Sequence, residues 1–151
     1  MFTTKRTFKF DGTGEGRTQA PPTRESLHGH ALAMLARREH SAGEIRKKLN
    51  DIGGDADLIE DVISQLQVRN LQSDVRFSES YVRSRAERGY GPRVIEMGLR
   101  DRGIDRESAR LMLESSGYDW CEQAIDLRQR RFGADSPTAP KERARQLRFL
   151  Q

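Results

Sequence analysis

Ala36-Arg-Arg-Glu-His-Ser-Ala-Gly-Glu-Ile-Arg-Lys-Lys-Leu-Asn-Asp-Ile-Gly-Gly-Asp55 and Ala86-Glu-Arg-Gly-Tyr-Gly-Pro-Arg-Val-Ile-Glu-Met-Gly-Leu-Arg-Asp-Arg-Gly-Ile-Asp105 are two copies of one pattern. Shifted by 50 residues, they share seven identities in twenty positions: Ala36/Ala86, Arg38/Arg88, Ile45/Ile95, Leu49/Leu99, Asp51/Asp101, Gly53/Gly103 and Asp55/Asp105. About one would arise by chance at ordinary residue frequencies. Each copy holds an amphipathic stretch, a glycine stop and an aspartate start. The repeating unit is therefore a helical module with a period of 50 residues, used at least twice.

Working outward, apolar residues recur at helical spacing along the rest of the chain. Leu27, Ala31, Met34 and Leu35 share one face, and so do Leu58, Ile59, Val62, Ile63 and Leu66. Phe77, Tyr81 and Val82 precede the second copy; Met112 and Leu113 follow it. Trp120, Ala124 and Leu127 mark a seventh helix, and Ala144, Leu147 and Leu150 an eighth. Ser41-Ala-Gly-Glu44 is a capping box, in which the serine oxygen takes a free amide at the helix start and the glutamate reaches back. Asp55 and Asp105 are placed to cap in the same way. Pro92 suits a first helical turn. Gly53, Gly89, Gly103, Gly117 and Gly133 stand where helices end. Helices are expected at 25–38, 41–52, 55–69, 74–88, 91–102, 105–116, 119–132 and 140–151.

The expected fold is all-α, with tandem three-helix modules forming an elongated, curved body. Residues 1–24 read as a flexible tail rich in Gly, Thr and charge, with Phe2, Phe8 and Phe10 scattered through it. Modules are expected over 25–70 and 71–117, and a partial third over 118–151. The third copy begins near Tyr118, with Leu150 in the place of Leu49 and Leu99, and is expected to lack its last helix.

With 34% hydrophobic and 33% charged residues, the 151-residue chain suits thin modules better than one deep core. The net charge of +4 is far from the field of a dedicated nucleic-acid binder. It is unevenly spread. Residues 1–24 hold five Lys/Arg against two Asp/Glu, 49–80 hold two against seven, and 128–151 hold seven against two. An acidic middle between basic ends suits a partner of mixed polarity, such as a protein sitting on nucleic acid. Arg outnumbers Lys by 22 to 5, which favours bidentate contacts at an interface. There is no run of about 18 apolar residues and hence no expected membrane span. One cysteine, Cys121, and no secretory pattern after Met1 fit a cytoplasmic protein.

Many arginines have an acid one turn away: Glu79 with Arg83, Glu96 with Arg100, Glu114 with Arg110, Asp126 with Arg130. Arg38, Arg85, Arg88, Arg128, Arg131 and Arg148 have none within their own expected helix, so their charge is expected to be free for an external anion or carboxylate. Tyr90, in a Gly-Tyr-Gly-Pro corner, either stacks on the preceding helix or presents an aromatic anchor. These seven are the candidate partner-binding residues. Phe77 and Tyr81, one turn apart, read as core, as does Trp120.

No catalytic, cofactor or metal site is expected, and no small-molecule substrate. His28 and His30 point to different sides of a helix, and Cys121 has no adjacent base. Gly12-Thr-Gly14-Glu-Gly16 lacks the Lys-Ser/Thr of a phosphate loop.

Ala31-Leu-Ala-Met-Leu-Ala-Arg-Arg-Glu-His-Ser41, with Glu44, Leu49 and Gly53, resembles the opening module of the RecX family. Leu71-Gln-Ser-Asp-Val-Arg-Phe77 with Tyr81-Val-Arg83 is similar to its central signature, which Gly89-Tyr-Gly-Pro92, Ile95, Leu99 and Arg102-Gly103 continue. Lys141 and Arg148-Phe-Leu150 resemble its last segment. The resemblance spans residues 25–151 and rests on the order and spacing of short motifs. It implies tandem three-helix modules and a regulator that binds the RecA recombinase filament. It also implies inhibition of the filament's ATPase, recombinase and coprotease activities, and so modulation of DNA repair, recombination and the SOS response. A direct DNA-binding helical module is the alternative, since short helices joined by tight turns resemble helix-turn-helix units. Against it, residues 25–151 carry 22 basic and 21 acidic side chains, which suits weak auxiliary nucleic-acid contact at most.

Overall fold

The computed structural model describes residues 20–150. The expected tail, with Phe2, Phe8 and Phe10, lies outside them except for its last residues, of which Thr23 and Arg24 already belong to the start of a helix. Eight helices and no strand are found among the described residues: α1 Arg24–Leu35, α2 Ala42–Asp51, α3 Ala56–Val68, α4 Asp74–Glu87, α5 Pro92–Arg100, α6 Arg106–Ser115, α7 Trp120–Phe132 and α8 Pro140–Leu150.

Six of the eight helices start where a side chain can accept an orphan amide. Thr23, Ser41, Asp55, Ser73, Asp105 and Asp119 all accept amide hydrogen bonds from the first turn, whereas Gly91 before α5 and Ala139 before α8 carry no side-chain acceptor. Hydrogen bonds from Ser108, through its side chain and then its amide, hold the Asp105 carboxyl below its ordinary value. The helix ends follow from glycine as well: Gly53 and Gly103, equivalent in the repeat, have φ of +82° and +86°. A side chain there would be strained, so α2 and α5 stop at matching points.

Helices α1, α2 and α3 pack on one another around Leu27, Ala31, Ala42, Ile45, Leu49, Ile59, Val62, Ile63 and Leu66. Helices α4, α5 and α6 repeat the arrangement around Phe77, Val82, Ala86, Ile95, Leu99, Ile104, Ala109 and Leu113. The identities of the repeat are mostly structural. Ile45, Leu49, Ile95 and Leu99 have no exposed surface, and Asp55 and Asp105 cap the third helix of their modules. Burying each such aliphatic side chain contributes about 1.5–3 kcal/mol. Helices α7 and α8 pair with each other, in the stretch where a partial third module is expected. Trp120 is half-buried and packs with Tyr118 against the second core. Among the described residues no helix is long and apolar enough to cross a membrane.

The first two modules meet in a polar seam. Ser41 Oγ donates to the Arg102 carbonyl at 2.6 Å while accepting from the Glu44 amide at 3.0 Å. The Ala42 amide donates to Asp74 Oδ1 at 2.8 Å. Gln72, 2% exposed, donates to the His40 carbonyl and to Asp74 and accepts from Gln67. Arg76 binds Glu39 at 2.9 Å. Gly43 lies against Arg102 and Gly103 so closely that no Cβ fits.

Candidate partner interface

The corner between α4 and α5 carries the most distinctive surface of the described residues. Tyr81 and Arg85 stand one turn apart on α4, so they share a face. Tyr90 follows in the turn forced by Gly89, whose φ is +81°. The Arg85 guanidinium lies 5.1 Å from the Tyr81 ring centre and 5.2 Å from that of Tyr90. The Arg102 guanidinium lies 4.8 Å from the Tyr81 ring centre as well. Two arginines and two tyrosines therefore alternate. Each cation–ring contact contributes about 0.5–1 kcal/mol at a partly exposed site and, more usefully, fixes long side chains in place.

Gly98 makes this geometry possible. A Cβ at 98 would overlap the Tyr81 hydroxyl and approach its Cζ to 3.0 Å. The hydroxyl end of the tyrosine thus abuts the α5 backbone, beside an open cavity of about 260 Å³ lined by Tyr81, Arg85, Val94, Met97, Asp101 and Arg102 among others. Met97 is 60% exposed, Val94 43% and Tyr90 42%. An apolar rim with aromatic and arginine side chains and a single lining carboxylate, Asp101, is the composition of an interface hot spot. Among the described residues, no carboxylate lies within 4 Å of Arg85 or Arg88, and Arg102 has only Glu44, at 3.4 Å. The positive charge of this corner is thus available to an acidic group.

The residues expected to bind a partner are not all alike in the structure. Arg85 and Tyr90 meet, and Tyr90 both stacks on Arg85 and remains exposed. Arg88 is exposed at the end of α4. Arg38 is not free: its guanidinium takes both oxygens of Glu44, at 3.0 and 3.3 Å, and the Glu39 carbonyl. The spacing of six residues lies outside the one-turn rule, because the pair spans the α1–α2 turn and not a helix face. Glu44, in consequence, does not close the capping box but binds Arg38 and Arg102. Arg128 is also engaged, donating to Gln146 Oε1 at 2.9 Å and to the Asp135 carbonyl, and so ties α7 to α8. Arg131 lies 6.0 Å from the Phe149 ring, and Arg148 is exposed with no carboxylate within 4 Å among the described residues. Of the one-turn pairs, Arg110–Glu114 and Asp126–Arg130 form, Glu96 turns to Arg106, and Glu79 has no cation within 4 Å among the described residues.

Tyr81, Val94, Met97, Gly98 and Arg102 belong to the corner although sequence reasoning passed over them as site residues. Tyr81 does pack on Phe77, with ring centres 5.8 Å apart, yet its other side faces the cavity. The usable signal was Gly98: a glycine inside a helical pattern marks a close approach by something else.

Comparison with known proteins places the chain in a family. Residues 29–66 match the first three-helix domain of RecX and residues 73–113 the second. The chain is 40% identical over 134 residues to Regulatory protein RecX of Halorhodospira halophila, covering 89% of this chain and 83% of the relative. It is 42% identical over 120 residues to that of Pseudomonas fluorescens, covering 80% and 77%. The crystal structure of RecX from Lactobacillus salivarius superposes with a TM-score of 0.65 at 23% identity, over 84% of this chain and 96% of that one. Another RecX crystal structure superposes with a TM-score of 0.68 at 22% identity, and this chain spans 64% of its length. With both module profiles matched in order and relatives at about this identity over most of their length, the chain belongs to the RecX family of regulatory proteins.

Proposed function

We propose that this protein binds the RecA recombinase filament through the α4–α5 corner and restrains its ATPase, recombinase and coprotease activities in the cytoplasm. The observation that carries the reading is the Tyr81–Arg85–Tyr90 stack beside exposed Val94 and Met97, fixed in place before any partner arrives. Preorganised aromatic and arginine side chains lose little entropy on binding. The free charge of Arg85 and Arg88 suits carboxylates on the partner. Binding alone is sufficient for regulation in this reading, with no chemical step by the protein. The test is the rate of ATP hydrolysis by RecA on single-stranded DNA as the protein is titrated in. A fall is expected. Arg85→Ala and Tyr90→Ala should each raise the half-inhibiting concentration by about tenfold or more, the effect of losing a hot-spot side chain. An unaltered titration with both variants would move the interface elsewhere.

A recess of about 510 Å³ between α2 and α5, lined by Lys47, Arg46, Arg100 and Arg102 with Asp51 and Asp101, favours an auxiliary contact with DNA phosphates. With mixed charge, its salt dependence should be shallow, about one or two released counterions.

A further inference from the structure

We propose that Gly43 is a positioning residue: its bare backbone sets the angle between the first two modules, and that angle is what lets both engage one filament together. The inference rests on the proposed filament reading, to which the second module brings the α4–α5 corner and the first brings Arg46 and Lys47 of the basic recess.

Gly43 sits in the first turn of α2. A Cβ built there would overlap the Arg102 carbonyl oxygen and lie 3.0 Å from both the Arg102 carbonyl carbon and the Gly103 Cα. These neighbours are backbone, in the turn that ends α5, and cannot swing aside as a side chain would. Gly103 sits at φ +86°, a conformation that a residue with a side chain would strain to adopt. From the other side, a Cβ on Gly103 would stand 3.1 Å from Gly43 Cα. Two glycines therefore face each other across the seam, one from each module.

The polar contacts around them act in the same direction. Ser41 bonds the Arg102 carbonyl, Asp74 takes the Ala42 amide, and Glu44 meets Arg102 at 3.4 Å. All have short geometric range, so a shift of a few tenths of an ångström at Gly43 strains every one of them. Of these residues only Ala42 belongs to an apolar core, and it enters the seam through its backbone amide. A methyl group at 43 is thus expected to rotate the modules relative to each other while each core stays packed. Two linked binding surfaces gain avidity only when the spacing allows simultaneous engagement, and lose it when the geometry is wrong.

The experiment compares Gly43→Ala with Gly29→Ala in the full chain. Gly29 lies in α1 with nothing within 4 Å of an added Cβ, so it controls for the helix propensity of the new residue. Small-angle scattering reads the relative placement of the modules, circular dichroism reads helicity, and the RecA ATPase titration reads binding. For Gly43→Ala the expected result is unchanged helicity, an altered scattering profile and a half-inhibiting concentration raised by about tenfold. Gly29→Ala should match the parent in all three. A parent-like scattering profile for Gly43→Ala would overturn the claim that this contact sets the angle. An altered profile with unaltered inhibition would overturn the claim that the angle matters for binding. If Gly43→Ala fails to fold, Glu44→Gln weakens the same seam without adding an atom, and a parent-like profile and titration for it would overturn the proposal. Absence of any effect of the parent protein on RecA would sink the filament reading, and the scattering comparison would still decide the angle.

Discussion

The seam between the first and second modules and the junction between the second and third use equivalent stretches of the repeat in opposite ways. In the first module, Glu39, His40, Ser41, Gly43 and Glu44 all enter the seam, through Arg76, Gln72, Arg102 and Gly103. Their counterparts 50 residues on are Gly89, Tyr90, Gly91, Arg93 and Val94. Of these, Gly89 touches Leu127 of α7, while Tyr90, Gly91, Arg93 and Val94 are exposed. Among the described residues no side-chain hydrogen bond or ion pair joins α4–α6 to α7–α8. The edge that closes one joint is therefore left open as a surface in the next copy. Repetition supplied the same backbone twice, and substitution turned one copy into a structural seam and the other into a candidate interface.

The largest expected effect tests how far the polar seam couples the modules. Leu99 has no exposed surface in the second core, so Leu99→Ala should cost about 2–5 kcal/mol. If the seam couples the modules, urea should unfold α1–α6 in one transition at a lower midpoint. Loss of only half that helical signal would show two independent modules and break the comparison. A smaller effect is expected at the seam itself. Gln72→Ala removes the partner of the His40 carbonyl and one partner each of Asp74 and Gln67, and should cost about 1–3 kcal/mol. A cost near zero in chemical denaturation would mean that water replaces the amide and that the seam is looser than its hydrogen bonds suggest.

The helices were legible because their signals are local. Expected 41–52 became Ala42–Asp51 and expected 119–132 became Trp120–Phe132, since a cap and a glycine bracket each. The repeat also announced its core, because Ile45, Leu49, Ile95 and Leu99 recur at helical spacing. The proposed corner was legible only in part. Arg85 and Tyr90 were singled out by the absence of a nearby acid and by a glycine corner. Arg38 was misjudged by the same rule, because Glu44 reaches it across a turn and not along a helix. Tyr81 looked like core since it lies one turn from Phe77, and it takes three dimensions to see that its second side faces Gly98. Pairing across modules has no sequence period, so Gln72, Asp74 and Gly43 gave no signal of meeting His40, Ala42 and Gly103.

The smallest effect sharpens the comparison at a single atom. Ser41 caps α2, whereas Gly91 in the same place leaves α5 without a side-chain cap. Gly91 has φ −78°, an ordinary value for any residue, and nothing lies within 4 Å of an added Cβ. A serine there is free to take the Val94 amide as Ser41 takes that of Glu44. Gly91→Ser is therefore expected to stabilise the protein by a few tenths of a kcal/mol, the usual margin of serine over glycine at this position. Thermal unfolding should show a small rise, and the RecA titration should not move, because Arg85, Tyr90, Val94 and Met97 keep their places. Stabilisation with weakened inhibition would carry a different meaning: the bare backbone at Gly91 would then belong to the contact surface, and the open edge of the second module would extend one residue beyond Tyr90.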